Sequence, residues 1–275
     1  MQPVPLNVPP VSVKSLQVAG LLVSILGIEE LPRDSRRPTT VLFLLHGRIG
    51  SSADMDPIGH RLIRESLKNP DRSRDLLIVN LDLPNHGSRC VNPRRNNTLA
   101  TGNKSHSEDM WLQIRQATRD VSFLIDTLPL IPDWPSGRVD LTWGTYGFSM
   151  GAHIGFICAS LEPRISLFVS IHGTPNLAIL GEIRAKDHGV SFSEQLFQDM
   201  VKHGALGNME RLRQVDILSL HADNDNLVPW SISQSVLHDL NNTGRTSYKV
   251  YKGIGHCPTE EVLSDSFAWV MKRLE

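Results

Sequence analysis

The five residues Gly147-Phe148-Ser149-Met150-Gly151 constrain this chain more than any other stretch. They fit Gly-x-Ser-x-Gly, a sharp strand-to-helix turn that presents a serine nucleophile at its apex. A serine held in so tight a turn leaves no room for side chains two positions to either side, which is why both flanks are glycine. The neighbours agree. Arg138-Val139-Asp140-Leu141-Thr142-Trp143 alternates apolar and polar residues as a strand does, and Ala152–Ala159 reads as a buried helix of small and apolar residues. The lead-in is long, with Trp143-Gly144-Thr145-Tyr146 standing before Gly147, so the sequence leaves the end of that strand undetermined.

A serine at an elbow predicts strands and helices in alternation, and the chain supplies them. Thr39–Leu45 and Leu76–Leu81 are continuous apolar runs, the pattern of strands buried on both faces. Ile165–Ile171, Asp216–Leu220 and Tyr248–Tyr251 are further strands, and Val11–Val13 with Leu21–Leu26 form an opening pair broken near Gly20. Helices are expected at 58–68, at 231–240 and at 259–274. From Glu108 to Leu128 the apolar residues Ile114, Ala117, Val121, Leu124, Ile125 and Leu128 recur at helical spacing. The fold class is therefore α/β: a mostly parallel, twisted sheet with helices on both faces. Residues 1–10 read as an extended proline-rich arm, 31–38 as a charged turn, and 88–108 as a long polar surface loop. Residues 174–213 carry no strand and are helix-like at Phe192–His203; they read as a small helical lid inserted into one domain spanning 1–275.

Composition narrows the partners. With 275 residues, 40% of them hydrophobic, the chain suits one substantial core. A formal charge of -1 gives no reason to expect nucleic acid or an anionic membrane, and no apolar run approaches the roughly 20 residues that cross a bilayer. The N-terminus lacks a signal-peptide pattern, and three cysteines (Cys90, Cys158, Cys257) without a CxxC pair read as reduced thiols, so a cytoplasmic location is the expectation. Eleven histidines are scattered rather than spaced as metal ligands, so no metal site is expected. Oligomeric state is not legible.

A serine hydroxyl needs a base to take its proton, and the base needs a carboxylate to hold its tautomer. In a sheet of this kind the partners follow in the order Ser, then acid, then His, each just past a strand. The segment His221–Pro229 and the segment Lys252–Thr259 stand where they are required. In the first, Asp223 and Asp225 both qualify as the acid; Asp223 has the competing use of capping a turn. In the second, the glycines of Gly253-Ile254-Gly255-His256 let the loop bring an imidazole over the serine.

The set Leu44-Leu45-His46-Gly47, Asp82–Arg89, Gly147–Gly151, Asp225-Asn226-Leu227-Val228-Pro229 and Gly255-His256 resembles the α/β-hydrolase superfamily. It is most similar to the dienelactone-hydrolase and prolyl-oligopeptidase-like branch, including small bacterial carboxylesterases with an Asp-x-Pro-x-His-Gly-x-Arg segment. The likeness runs from about Val41 to the C-terminus. It implies a serine hydrolase of a small-molecule ester, lactone or thioester, with Ser149 as nucleophile, His256 as base and Asp225, on the Asp-x-x-Val-Pro pattern, as acid. It implies an oxyanion hole from the backbone N–H groups of Arg48 and Met150, architectural roles for His46 and His86, and no metal or organic cofactor. The same triad also serves carbon–carbon cleavage, lyase or cyclisation chemistry, and some members of the fold only bind ligands.

Around these residues several assignments stay open. The Arg48 guanidinium either binds an anionic group of the substrate or pairs with Asp54 or Asp56 on its own loop. His172 closes a strand near the site and is a candidate pocket residue, as is Trp230, which reads equally as core. Met55, Ile58, Phe192 and Phe197 read equally as pocket wall and as core. His153, one helical turn after Ser149, reads as a packing residue.

Overall fold

The computed structural model describes residues 8–32, 37–132, 134–135 and 140–275. Most of the N-terminal arm (1–7), the charged centre of the turn at 33–36 and the strand start expected at Arg138–Val139 lie outside them.

The two apolar runs form the middle of the sheet. In β3 (Thr39–Leu45) every residue is buried, because Val41, Phe43 and Leu45 face one core while Leu42 and Leu44 face another. In β4 (Asp75–Leu81), Leu77, Val79 and Leu81 share the first core and Leu76 and Ile78 the second. Two covered faces explain why alternation is absent from these strands. The hairpin of β1 (Val13–Val18) and β2 (Leu21–Leu26) turns at Ala19-Gly20, both at positive φ, and β5 (Leu141–Phe148), β6 (Ile165–Ile171), β7 (Asp216–Ala222) and β8 (Thr246–Tyr251) complete the set. The described residues make one eight-stranded sheet in the order β1-β2-β4-β3-β5-β6-β7-β8. From β4 to β8 all neighbours are parallel, whereas β2 runs antiparallel to both β1 and β4. This is the expected mostly parallel α/β sheet.

One face is covered by α2 (His106–Thr127), α3 (Met150–Leu161) and α7 (Trp230–Asn241), which bury Trp111, Ile114, Val121, Ile154 and Leu237. The other is covered by α1 (Asp56–Leu67) and α8 (Glu260–Met271) through Ile58, Leu62, Val262 and Phe267. Each fully buried side chain of this size is worth about 1.5–3 kcal/mol of transfer free energy. Among the described residues no helix is long and apolar enough to cross a membrane, and Cys90, Cys158 and Cys257 are free thiols.

Three boundaries differ from expectation, each for a physical reason. The first strand occupies Val13–Val18 rather than Val11–Val13: an edge strand pairs on one side only, so its residues alternate exposed and half-buried and carry little apolar signal. Strand β5 runs on to Phe148, so Trp143–Tyr146 extend the strand rather than interrupt it, with a register shift against β6 between Trp143 and Gly144 absorbing the irregularity. The segment 174–213 holds α4 (Leu177–Asp187), α5 (Glu194–His203) and the single turn α6 (Met209–Leu212). Of these, α4 carries no clear amphipathic period and was not expected.

Candidate active site

The turn from β5 into α3 places Ser149 at φ 54°, ψ -114°, a region that non-glycine residues rarely occupy. Packing imposes the glycines on each side. A Cβ on Gly147 would run into the carbonyl oxygen of Gly151, and one on Gly151 into the carbonyl oxygen of Leu45 in β3. The strained serine is held by its backbone N–H, which donates to the Ile171 carbonyl at 2.9 Å. Its Oγ thus projects at the carboxyl edge of the sheet.

The loops after β7 and β8 converge on it. The Ser149 hydroxyl donates to Nε2 of His256 at 2.8 Å, and Nδ1–H of His256 donates to Oδ2 of Asp225 at 2.7 Å. The other carboxylate oxygen of Asp225 accepts the N–H groups of Leu227 at 2.9 Å and Val228 at 2.8 Å. Burial alone would raise the Asp225 carboxyl, but the His256 hydrogen bond and charge, with the Val228 N–H, hold it below the usual carboxylate range. It is therefore an anion at neutral pH, placed to fix the imidazole tautomer. Asp223 does something else: its Oδ1 accepts the Gly253 N–H at 2.8 Å and braces the turn that leads to His256. Of the two acids on this loop, Asp225 meets the imidazole.

These groups open into a cavity of about 580 Å³ whose walls include Ser149, His256, Gly47, Arg48 and Met150. Met150 is the first residue of α3, so its N–H has no carbonyl one turn behind it and the helix dipole favours negative charge there. His46 holds the opposite lip, accepting the Leu83 N–H at Nε2 (3.0 Å) and donating from Nδ1 to the Gly47 carbonyl (2.8 Å). Burial pushes its pKa down to about 4, so it is a neutral strut.

Trp230 and His172, candidates for the pocket, do not line it, and four residues left open between wall and core belong to the core. Trp230 does not reach the cavity; its ring packs on His221 (centroids 4.7 Å) and Tyr248 (5.2 Å) at the start of α7. Met55 and Ile58 are fully buried beneath the sheet, and Phe192 and Phe197 pack against each other and the main core. His172 does not line the cavity either: it is fully buried at φ 53°, and its Nε2–H donates to the Cys257 carbonyl at 2.9 Å. That bond pins the residue next to His256. Nδ1 of His172 sits 3.8 Å from Asp225 Oδ2, too far for a hydrogen bond, and burial lowers its pKa. By its contacts His172 supports the loop that carries His256. His172→Phe is expected to cut kcat roughly tenfold at nearly constant KM in steady-state ester assays, since sub-ångström displacement of a base is costly. His172→Gln, which can still donate, should lose less; unchanged kcat in both would show that the loop holds itself.

The local pairing expected for Arg48 is also absent. Asp54 accepts the Ser51 N–H and Asp56 accepts from Asn80, while Arg48 donates from Nη1 to the Asn96 carbonyl at 2.7 Å. Asn96 belongs to the segment read as a surface loop. That segment is largely exposed, with single helical turns, and also supplies Thr98, Leu99 and Ala100 as one cavity wall; α4 supplies Arg184 and Asp187, and His188 just after it, as another. No local signal marked either wall, because side-chain bonds such as Asn96 Nδ2 to the Asn85 carbonyl (2.8 Å) and Asn103 Nδ2 to the Arg95 carbonyl (3.2 Å) hold the loop in place.

No family model and no curated protein matches the chain. Solved structures do. TT1662 from Thermus thermophilus superposes with a TM-score of 0.71 at 20% identity, over 97% of this chain and 99% of that one. Esterase PE8 gives 0.53 at 19% identity, over 88% and 96% of the two chains. The Pyrococcus furiosus esterase Pf2001 gives 0.55 at 16% identity, over 96% and 92%. At such identities the likeness is one of fold, and the fold is that of the α/β hydrolases.

Proposed function

We propose that this protein is a serine hydrolase that cleaves a carboxylic ester, lactone or thioester of a small molecule through an acyl-enzyme. The observation that carries the reading is the continuous relay from Ser149 Oγ through His256 to Asp225, at 2.8 and 2.7 Å, at the wall of an open cavity. The esterases among the structures of the same fold support it.

In this reading a substrate carbonyl enters beside Ser149. His256 takes the hydroxyl proton as Oγ attacks, and the Asp225 carboxylate stabilises the imidazolium that forms. The backbone N–H groups of Met150 and Arg48 hold the oxyanion, a contribution of about 3 kcal/mol for each such donor. His256 then returns its proton to the leaving group, and a water, deprotonated by the same ring, releases the acyl group. All these groups are supplied by the chain itself.

A fluorophosphonate probe tests the reading directly. The intact protein is expected to gain one adduct, mapped by peptide mass spectrometry to Ser149, and to hydrolyse p-nitrophenyl butyrate. A folded sample that neither labels nor turns over would end the proposal.

A further inference from the structure

The cavity beside Ser149 carries two arginines that form no ion pair with an acid among the described residues. Arg48 enters from the loop after β3 and Arg184 from α4, and both face the same space. Each is steadied by a single protein acceptor: Arg48 by the Asn96 carbonyl at 2.7 Å, Arg184 from Nη2 by the Leu227 carbonyl at 2.6 Å. A guanidinium has five N–H donors, so most of each fork is left unused. Several other arginines are paired with acids instead, although Arg64 and Arg211, like these two, meet only carbonyl acceptors among the described residues. Arg89 pairs with Asp120 at 2.8 Å, Arg95 with Asp109 at 2.8 Å and Arg115 with Asp199 at 2.9 Å.

Of the acids at this cavity, Asp225 is engaged elsewhere and Asp187 forms no ion pair with either arginine. Asp225 is committed to His256, Leu227 and Val228, and Asp187 is an exposed residue of the wall. The histidines in between add no negative charge: His106 donates from Nδ1 to the Asn97 carbonyl, and His153 accepts the Thr174 N–H at Nδ1 (3.0 Å). The two guanidinium groups also act on each other. Arg184 is depressed to about 10, first by burial and then by the field of Arg48, and His106 to about 4 by burial and by both arginines. Two like charges brought into one sheltered space repel, and an anion between them converts that repulsion into charge-assisted, bidentate hydrogen bonds.

We infer that the substrate carries an anionic group, a carboxylate or a phosphate, that seats between Arg48 and Arg184 while its acyl carbonyl lies against Ser149. This names the substrate class of the reading above and rests on it. Arg48 then acts twice: its backbone N–H serves the oxyanion and its side chain the distal anion, so the distance between carbonyl and anion is set by one residue. Specificity follows because a neutral ester leaves both guanidinium groups unpaired in the cavity.

Binding to the Ser149→Ala protein tests this without relying on turnover. Isothermal titration calorimetry would compare monomethyl glutarate, its neutral counterpart dimethyl glutarate, and inorganic phosphate. The monoanionic ester or phosphate is expected to bind at least tenfold more tightly than dimethyl glutarate, and whichever does so identifies the anion. Adding Arg184→Gln should erase that preference, while Arg184→Lys, which keeps the charge but not the fork, should retain part of it. Equal affinity for the two esters with no phosphate binding would overturn the inference, even if Arg184→Gln failed to fold. A preference that survives Arg184→Gln would overturn it too. Fluorophosphonate labelling of the wild type at Ser149 is scored separately: its absence, with anion preference intact, counts against Ser149 as nucleophile and not against the arginine pair.

Discussion

Ser149→Ala is expected to lower kcat/KM for p-nitrophenyl esters by about ten-thousandfold or more, with the circular dichroism spectrum unchanged. The magnitude follows from the way nucleophile, base and acid act as a unit: once the hydroxyl is gone, His256 and Asp225 have nothing to activate, and only the oxyanion donors and binding remain. A second substitution separates chemistry from architecture. The backbone of Ser149 sits at φ 54°, ψ -114°, a conformation that costs any L-residue about 1–3 kcal/mol. Ser149→Ala keeps that strain, whereas Ser149→Gly removes it. The glycine variant should be equally inactive yet melt roughly 2–4 °C above the alanine variant for each kcal/mol released. Retained activity in either variant would remove Ser149 from the mechanism; a glycine variant melting no higher would show that the elbow stores no strain.

The second large effect is acid lability. His46 and His106 are depressed to about 4, and His153 and His221 to about 3, in every case first by burial. An unfolded chain protonates each near pH 6.5, while the folded protein refuses the proton until well below that. Between those values the unfolded state binds more protons, so stability falls as the pH falls, by about 1.4 kcal/mol per unit for each histidine. From pH 7 to pH 5 the four together should cost on the order of 7 kcal/mol, comparable with the whole stability of an ordinary domain. The depressed carboxylates Asp225 and Glu162, the latter held near 2 against burial by Arg164 and Ser122, work in a lower window. Their contribution is full above the ordinary carboxylate range and is lost only as the pH drops toward their folded values. Urea unfolding at pH 7, 6 and 5 should therefore show a midpoint that already drops sharply at 5. A flat midpoint across that range would mean these rings take up protons without opening the fold.

The sequence spoke clearly where a constraint was local. Gly147 and Gly151 are dictated by atoms within a turn's reach, and the runs in β3 and β4 by having cores on both sides, so the elbow and the central sheet were legible. Asp225 and His256 were legible because each follows a strand that ends at the same edge. The choice between Asp223 and Asp225 was carried by the resemblance alone; in space it depends on Gly253 and Leu227, whose N–H groups claim one carboxylate each. What failed was everything set by distant partners. Trp230 stood open between pocket and core, and it is His221 and Tyr248, distant in the chain or across a strand, that stack it away from the cavity. Arg184 lies on a helix with no periodic signature, and nothing near it in the chain points to Arg48.

The cavity's far side is built by residues 96–106 and by α4, stretches of chain separate from those that bear Ser149, Asp225 and His256. Much of the cavity's wall can therefore change in sequence without touching the turns that hold those three side chains. On the proposed reading, substitutions within Asn92–His106 or Leu177–His188 would reshape the space beside Ser149 while the Ser149–His256–Asp225 contacts stay where they are.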